Sequence, residues 1–117
     1  MNQSKRVSIG GRAVGPGNPA YVIAEIGANH DQDLSVALDM ISMASQAGAD
    51  AVKFQVFDVD AMIAAESTEW KERLGSRQMP YEAFGRIQAH CREKGITFFA
   101  TAHDEPSLEY LTSLRVP

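Results

Sequence analysis

A single cysteine, Cys91, in 117 residues excludes an intrachain disulfide and any cysteine-built metal centre. Positive charge is also scarce: 11 Lys and Arg stand against 15 Asp and Glu, a net charge of -4. No basic face is implied, so nucleic acid and anionic membrane are not expected partners. An anionic ligand would have to be held by a few locally placed cations. No run approaches the ~18 apolar residues of a membrane span. The opening Met1-Asn-Gln-Ser-Lys-Arg-Val7 lacks the apolar stretch of a secretory leader. These absences predict a reducing, cytoplasmic setting. Metal-ligand spacing is missing too, with no His-x-x-x-His and no glycine-spaced carboxylate cluster. The glycines of Gly15-Pro-Gly-Asn-Pro19 have no Gly-Lys-Ser/Thr ending and are loop chemistry rather than a phosphate loop.

What is present suits one small domain with a core: 44% of residues are apolar and 22% charged. Two short β-like runs, residues 6–9 and 12–14, flank Gly10-Gly11, a pair that permits the positive φ of a tight hairpin turn. Residues 21–26 form an apolar run without alternation, which predicts a strand covered on both faces. Asp33 is placed to cap a helix whose apolar stripe is Leu34, Ala37, Leu38, Ile41 and Ala44, with Gly48 ending it. Residues 49–55 read as the next strand. Residues 56–80 read as a long loop with one short helical piece around 66–74. A second helix is expected over residues 81–94, with Phe84, Ile87 and Cys91 on its apolar face and Gly95 after it. A third strand is expected over 96–100. Asp104 then caps a third helix with Pro106 in its first turn and Leu108, Leu111 and Leu114 on its apolar side. The last residues, Leu114-Arg-Val-Pro117, read as the approach to a further strand.

The order β-α-β-α-β-α after a hairpin predicts an α/β fold with parallel strands and right-handed crossovers. It suits an open doubly wound sheet or part of a (β/α)8 barrel, which needs ~250 residues. In either case ligands gather at the carboxyl ends of the strands. That rule selects Glu25, Asn29 and His30 from the first unit, Lys53 and Gln55 from the second, and Thr101, His103 and Asp104 from the third. Lys53 and Gln55 are two apart and share one side of their strand. Plain structural readings stand beside these. Lys53 would pair with Glu25 as a buried ion pair, Gln55 and Thr101 would be ordinary strand residues, Asn29 and His30 loop residues, and Asp104 a helix cap. His90, between charged residues on a helix, is expected to be solvated. Taken together, a carboxylate, an ammonium, an amide, a hydroxyl and an imidazole on one face suit a small anionic, oxygen-rich ligand.

Three stretches carry a resemblance: Ile23-Ala-Glu-Ile-Gly-Ala-Asn-His30, Ala47-Gly-Ala-Asp-Ala-Val-Lys-Phe-Gln55, and Phe98-Phe-Ala-Thr-Ala-His-Asp104. At this spacing the chain resembles the N-terminal part of the sialic acid synthase (N-acetylneuraminate synthase) family, over residues 6–117. The resemblance implies the N-terminal portion of a (β/α)8 TIM barrel. Residues 1–20 would be the hairpin and linker and 21–117 the first three β/α units, leaving the barrel incomplete in this chain.

It further implies a transferase that condenses phosphoenolpyruvate with an N-acylated amino sugar, N-acetylmannosamine or a related sugar, to give a nonulosonic acid and phosphate. C3 of phosphoenolpyruvate attacks the sugar aldehyde, water adds at C2, and phosphate leaves by C–O cleavage. A divalent metal, Mn2+ or Mg2+, would polarise the aldehyde, its ligands lying outside this chain. Carried onto this sequence, Glu25, Lys53 and Gln55 would be catalytic. Lys53, Gln55, Thr101, Asn29, His30 and Asp104 would contact substrate or shape its site. A homodimer is implied for the full-length protein, with the 117-residue chain inactive alone. One departure is visible: Ala100-Thr-Ala-His-Asp104 replaces the family's Ser-Thr-Pro-Phe-Asp, which makes that loop more polar. The rival readings are a non-catalytic anion-binding α/β module that completes its sheet by association, and another (β/α) barrel aldolase or isomerase.

Overall fold

The structure, a computed structural model, describes residues 5–117. The first four residues, part of the 1–20 lead-in, lie outside the described residues. The lead-in is a hairpin of β1 (Val7–Ile9) and β2 (Arg12–Val14). Gly10 and Gly11 turn it with φ of +55° and +83°, the left-handed pair that the turn requires. Next come β3 (Ile23–Gly27), α1 (Leu34–Gln46), β4 (Ala51–Val56), α2 (Val59–Met62), α3 (Thr68–Gly75), α4 (Tyr81–Lys94), β5 (Thr97–Ala102) and α5 (Glu105–Ser113). β3, β4 and β5 form a parallel sheet in that spatial order.

This order never reverses direction. Right-handed crossovers that always step the same way leave every helix on the same side of the sheet. The side chains agree. Ile26, Val52, Phe54, Val56 and Phe98 point to the helices and are buried with Ala37, Ile41, Phe84, Ile87 and Leu111. Phe54 is the hub, with ring centroids 6.2 Å from Phe84, 5.8 Å from Phe98 and 6.1 Å from His30. Cys91 lies in this core, where burial pushes its thiol up to about 12.

The opposite face is open. It carries Ile23, Glu25, Lys53, Gln55, Phe99 and Thr101, all exposed or half-exposed. Within the described residues the strand at 21–26 is covered on one face only, and Val22 and Ile23 are exposed. Short apolar runs report β structure but not how many sides are covered.

Local signals placed the caps well. Asp33 accepts from Val36 N–H and Asp104 from Ser107 N–H. Gly48 and Gly95 sit at φ of +88° and +67° just past their helices. The short helical piece expected around 66–74 is α3, and the stretch 56–80 holds a second helix, α2, that was not expected. Neither has a buried residue, so no apolar stripe marks α2. Their support is polar: Lys71 pairs with Asp60 at 3.1 Å, and α3 has Glu69 in its first turn and Arg73 in its last.

Three further expectations change. Leu108 is exposed, and α5 packs through Leu111. His90 is not solvated: its Nε2 lies 3.0 Å from Ser42 Oγ, joining α4 to α1. The last residues form no strand among the described residues; Leu114 caps α5 and Val116 packs against the core.

At the amino ends of the strands Asp50 ties the pieces together. It accepts from Val22 N–H at 2.7 Å and pairs with Arg12 of the hairpin, and its backbone bonds Val22 and Thr97. The hairpin tip is pressed against β5, since a Cβ on Gly10 would lie 2.8 Å from Thr97 Oγ1.

Candidate functional site

At the carboxyl ends of the strands the open face becomes polar. The register sets Glu25 beside Lys53 and Gln55 beside Thr101. Lys53 Nζ is 3.2 Å from Glu25 Oε2. The pair forms as expected, but it is not buried: the side chains are 35% and 48% exposed. An exposed pair contributes only about 0–1 kcal/mol of stability. Structural support alone is a weak reason for a charge pair on this face.

Gly27 is what lets these groups converge. The β3–β4 register slips between Glu25 and Gly27, a bulge with Ile26 as the extra residue. Gly27 follows at φ +61°, and a Cβ there would stand 3.3 Å from Glu25 Oε1 and 3.6 Å from the Gln55 amide. Any larger residue would be strained and would crowd both side chains. A strand-end glycine is the only hint the sequence offers. Phe99, the register partner of Lys53, was also missed. It gives the polar face an apolar wall, 6.2 Å from the Tyr21 ring.

The remaining candidates separate. Asn29 is exposed in the turn after β3. His30 is 1% exposed and stacks on Phe54. Its Nδ1 accepts from Gln32 N–H at 3.1 Å, which leaves the ring proton on Nε2, and that atom has no partner among the described residues. Burial holds the imidazole below its ordinary 6.5, with the Asp31 charge opposing. The unfolded chain therefore binds a proton more readily than the folded one just below pH 6.5, so stability should fall as pH drops through that value. In urea titrations from pH 7.5 to 5, His30→Phe should lose the part of this slope that His30 causes. An unchanged slope would remove His30 as its source.

Asp104 uses both carboxylate oxygens on backbone: Oδ1 on Ser107 N–H at 2.9 Å and Oδ2 on Asp58 N–H at 2.7 Å. Burial would raise its carboxyl, but the hydrogen bonds from Asp58 and Ser107, with the nearby His103, outweigh that and hold it low. His103 is exposed on the rim, edge-on to Phe57 at 6.3 Å. Glu25, Lys53, Gln55 and Thr101 are thus brought to one face, while His30 and Asp104 brace the loops around it. Among the described residues no group of three or more His, Cys, Asp or Glu could hold a metal ion, and no helix is long and apolar enough to cross a membrane.

The set offers a cation and a hydroxyl for anionic oxygens, an amide for a polar substituent, and a carboxylate for proton transfer or for stabilising developing positive charge. Comparison with known proteins bears on this arrangement. The profile of the NeuB family matches residues 40–117. The chain is 35% identical over 119 residues to human N-acetylneuraminate-9-phosphate synthase, covering 92% of this chain and 33% of that protein. It is 38% identical over 115 residues to the Bacillus subtilis spore coat polysaccharide biosynthesis protein SpsE, covering 90% and 31%. The crystal structure of N-acetylneuraminic acid (sialic acid) synthetase from Leptospira borgpetersenii serovar Hardjo-bovis, in complex with citrate, superposes with a TM-score of 0.89 at 34% identity. That match covers 97% of this chain and 39% of the other. The chain therefore spans about a third of the length of these relatives.

Proposed function

The chain belongs to the NeuB family, and from that membership we propose that the protein carrying it condenses phosphoenolpyruvate with an N-acylated amino sugar to give a nonulosonic acid and phosphate. In this reading the three parallel β/α units are the start of a (β/α)8 barrel, with the open face turned to its interior. Sequential, unreversed strand order with all helices on one side supports the barrel over a doubly wound sheet. The protein would act in the cytoplasm as a homodimer. The divalent metal would take its ligands from beyond this chain, since the described residues offer no such group.

The observation that carries the proposal is the convergence of Glu25, Lys53 and Gln55 around Gly27 at the carboxyl end of the sheet. Lys53 and Thr101 hold phosphoenolpyruvate by its anionic oxygens. Gln55 faces the sugar and the enol. As C3 of the enol attacks the aldehyde carbon, positive charge develops at C2, and Glu25 stands where a carboxylate stabilises it. Water then adds at C2; Glu25 takes one of its protons and passes it to the alkoxide formed from the aldehyde, and breaking the C2–O bond expels phosphate, which carries off the other proton and leaves the 2-keto acid. Phe99 keeps one side of the face apolar and limits stray water. The human relative is an N-acetylneuraminate-9-phosphate synthase and the Leptospira one an N-acetylneuraminic acid synthetase. The polar Ala-His pair at Ala102 and His103 makes a different acyl sugar a reasonable substrate for this protein.

The test is phosphate release by the full-length protein with manganese, phosphoenolpyruvate and a panel of N-acylated amino sugars that includes N-acetylmannosamine. Release that requires both substrates is expected. No sugar-dependent release across the panel would overturn the reading.

A further inference from the structure

Residues 59–75 leave the sheet just past Gln55 and return just before α4. They bury none of their own helical side chains. Besides the exposed Lys71–Asp60 and Arg77–Asp31 pairs, at 3.1 and 3.8 Å, they are tied by hydrogen bonds that meet at Gln78. Its Oε1 accepts from Val59 N–H at 2.9 Å, closing the excursion on itself at its base. Its backbone carbonyl accepts from Gln32 Nε2 at 2.8 Å. Gln32 also reaches the Gly75 carbonyl at 3.5 Å. Gln32 belongs to the turn after β3, where Asp31 and Gln32 both hold positive φ, +48° and +66°. Two successive non-glycine residues in that region are costly. His30 Nδ1, bonded to Gln32 N–H, holds them there. From the other side Asp104 holds Asp58 N–H.

We infer that Gln78, with Gln32 and His30, is a positioning clasp that joins the loop after Glu25 to the excursion after Gln55 and sets the excursion's place beside the strand-end face. Gln78 and Gln32 touch no reacting group in this assignment. They act through the two loops that border the site. The inference rests on the proposed reaction only for its kinetic consequence. Its structural part stands on the hydrogen bonds alone. Because the excursion has no buried anchor, losing one buried-base bond frees the whole segment rather than one residue.

Hydrogen exchange by mass spectrometry on the full-length protein tests it. Gln78→Met keeps the length of the side chain and removes the acceptor for Val59 N–H. Amides in residues 59–75 should exchange several-fold faster, while those of α1 and α4 stay protected. Gln78→Glu keeps an acceptor oxygen and should restore slow exchange. In kinetics, Gln78→Met should raise KM for at least one substrate roughly fivefold, the scale of one lost hydrogen bond, with kcat within about twofold, and Gln78→Glu should reverse it. Should Gln78→Met fail to fold, Gln32→Ala, an exposed side chain, removes the second arm and should give the same pattern more weakly. Unchanged exchange over 59–75 in these variants overturns the clasp. Faster exchange with both KM values unchanged overturns its role at the site. If the wild-type protein does not turn over the proposed substrates, the reaction assignment fails, and the exchange result still decides the clasp.

Discussion

Glu25→Gln and Lys53→Ala, each made in the full-length protein, are expected to cut phosphate release from phosphoenolpyruvate by ~100-fold or more, the usual cost of removing a group that meets charge in the transition state. The two changes should act differently. Glu25→Gln keeps size and hydrogen bonding but loses the negative charge, so kcat should fall with little change in KM for phosphoenolpyruvate. Lys53→Ala removes the cation proposed to hold the substrate's anionic oxygens, so KM should rise as kcat falls. Neither should unfold the protein, because the pair is half-exposed and worth only about 0–1 kcal/mol. A melting temperature near wild type beside a large kinetic loss would place both residues in the chemistry. Rates unchanged in both variants would remove the site from this face.

The largest effect on stability is expected at Phe54. It is fully buried and packs on Phe84, Phe98 and His30, so it joins the sheet to α4 and to the turn after β3. Phe54→Ala should cost about 3–5 kcal/mol by urea denaturation. That is a large part of the ~5–15 kcal/mol that holds a domain together. Phe54→Leu, which refills most of the space, should cost clearly less. A loss under about 1 kcal/mol for the alanine variant would mean that the core is not centred where the packing puts it.

Much of this arrangement could be read from the sequence, and the readable parts share a physical cause. Gly10-Gly11, Asp33, Gly48, Gly95 and Asp104 act on backbone within a few residues of themselves, so local chemistry identifies them. Lys53 and Gln55 were readable because a strand alternates with period two. What escaped depends on distant partners or leaves no pattern. The bulge at Ile26 is a mismatch between β3 and β4, and neither strand announces it alone. His90 meets Ser42 across 48 positions of sequence. Gln78 looks like any polar loop residue, and its importance lies in reaching Val59 and Gln32. The helix α2 hides because amphipathic reading needs a buried side, and it has none.

Asp50 gives the two ends of the sheet separate histories. The hairpin, β3, β4 and β5 are stitched together at their amino ends by one carboxylate and its backbone, without help from the loops that carry Glu25, Gln55 or Thr101. A descendant protein could therefore exchange those loops for others, and with them its substrate, while inheriting the same foundation. For an engineer the practical consequence is a seam. Libraries built on the turn after β3, residues 57–80 and the rim around His103 would sample specificity, and randomising Asp50 or Gly10 would mainly sample stability.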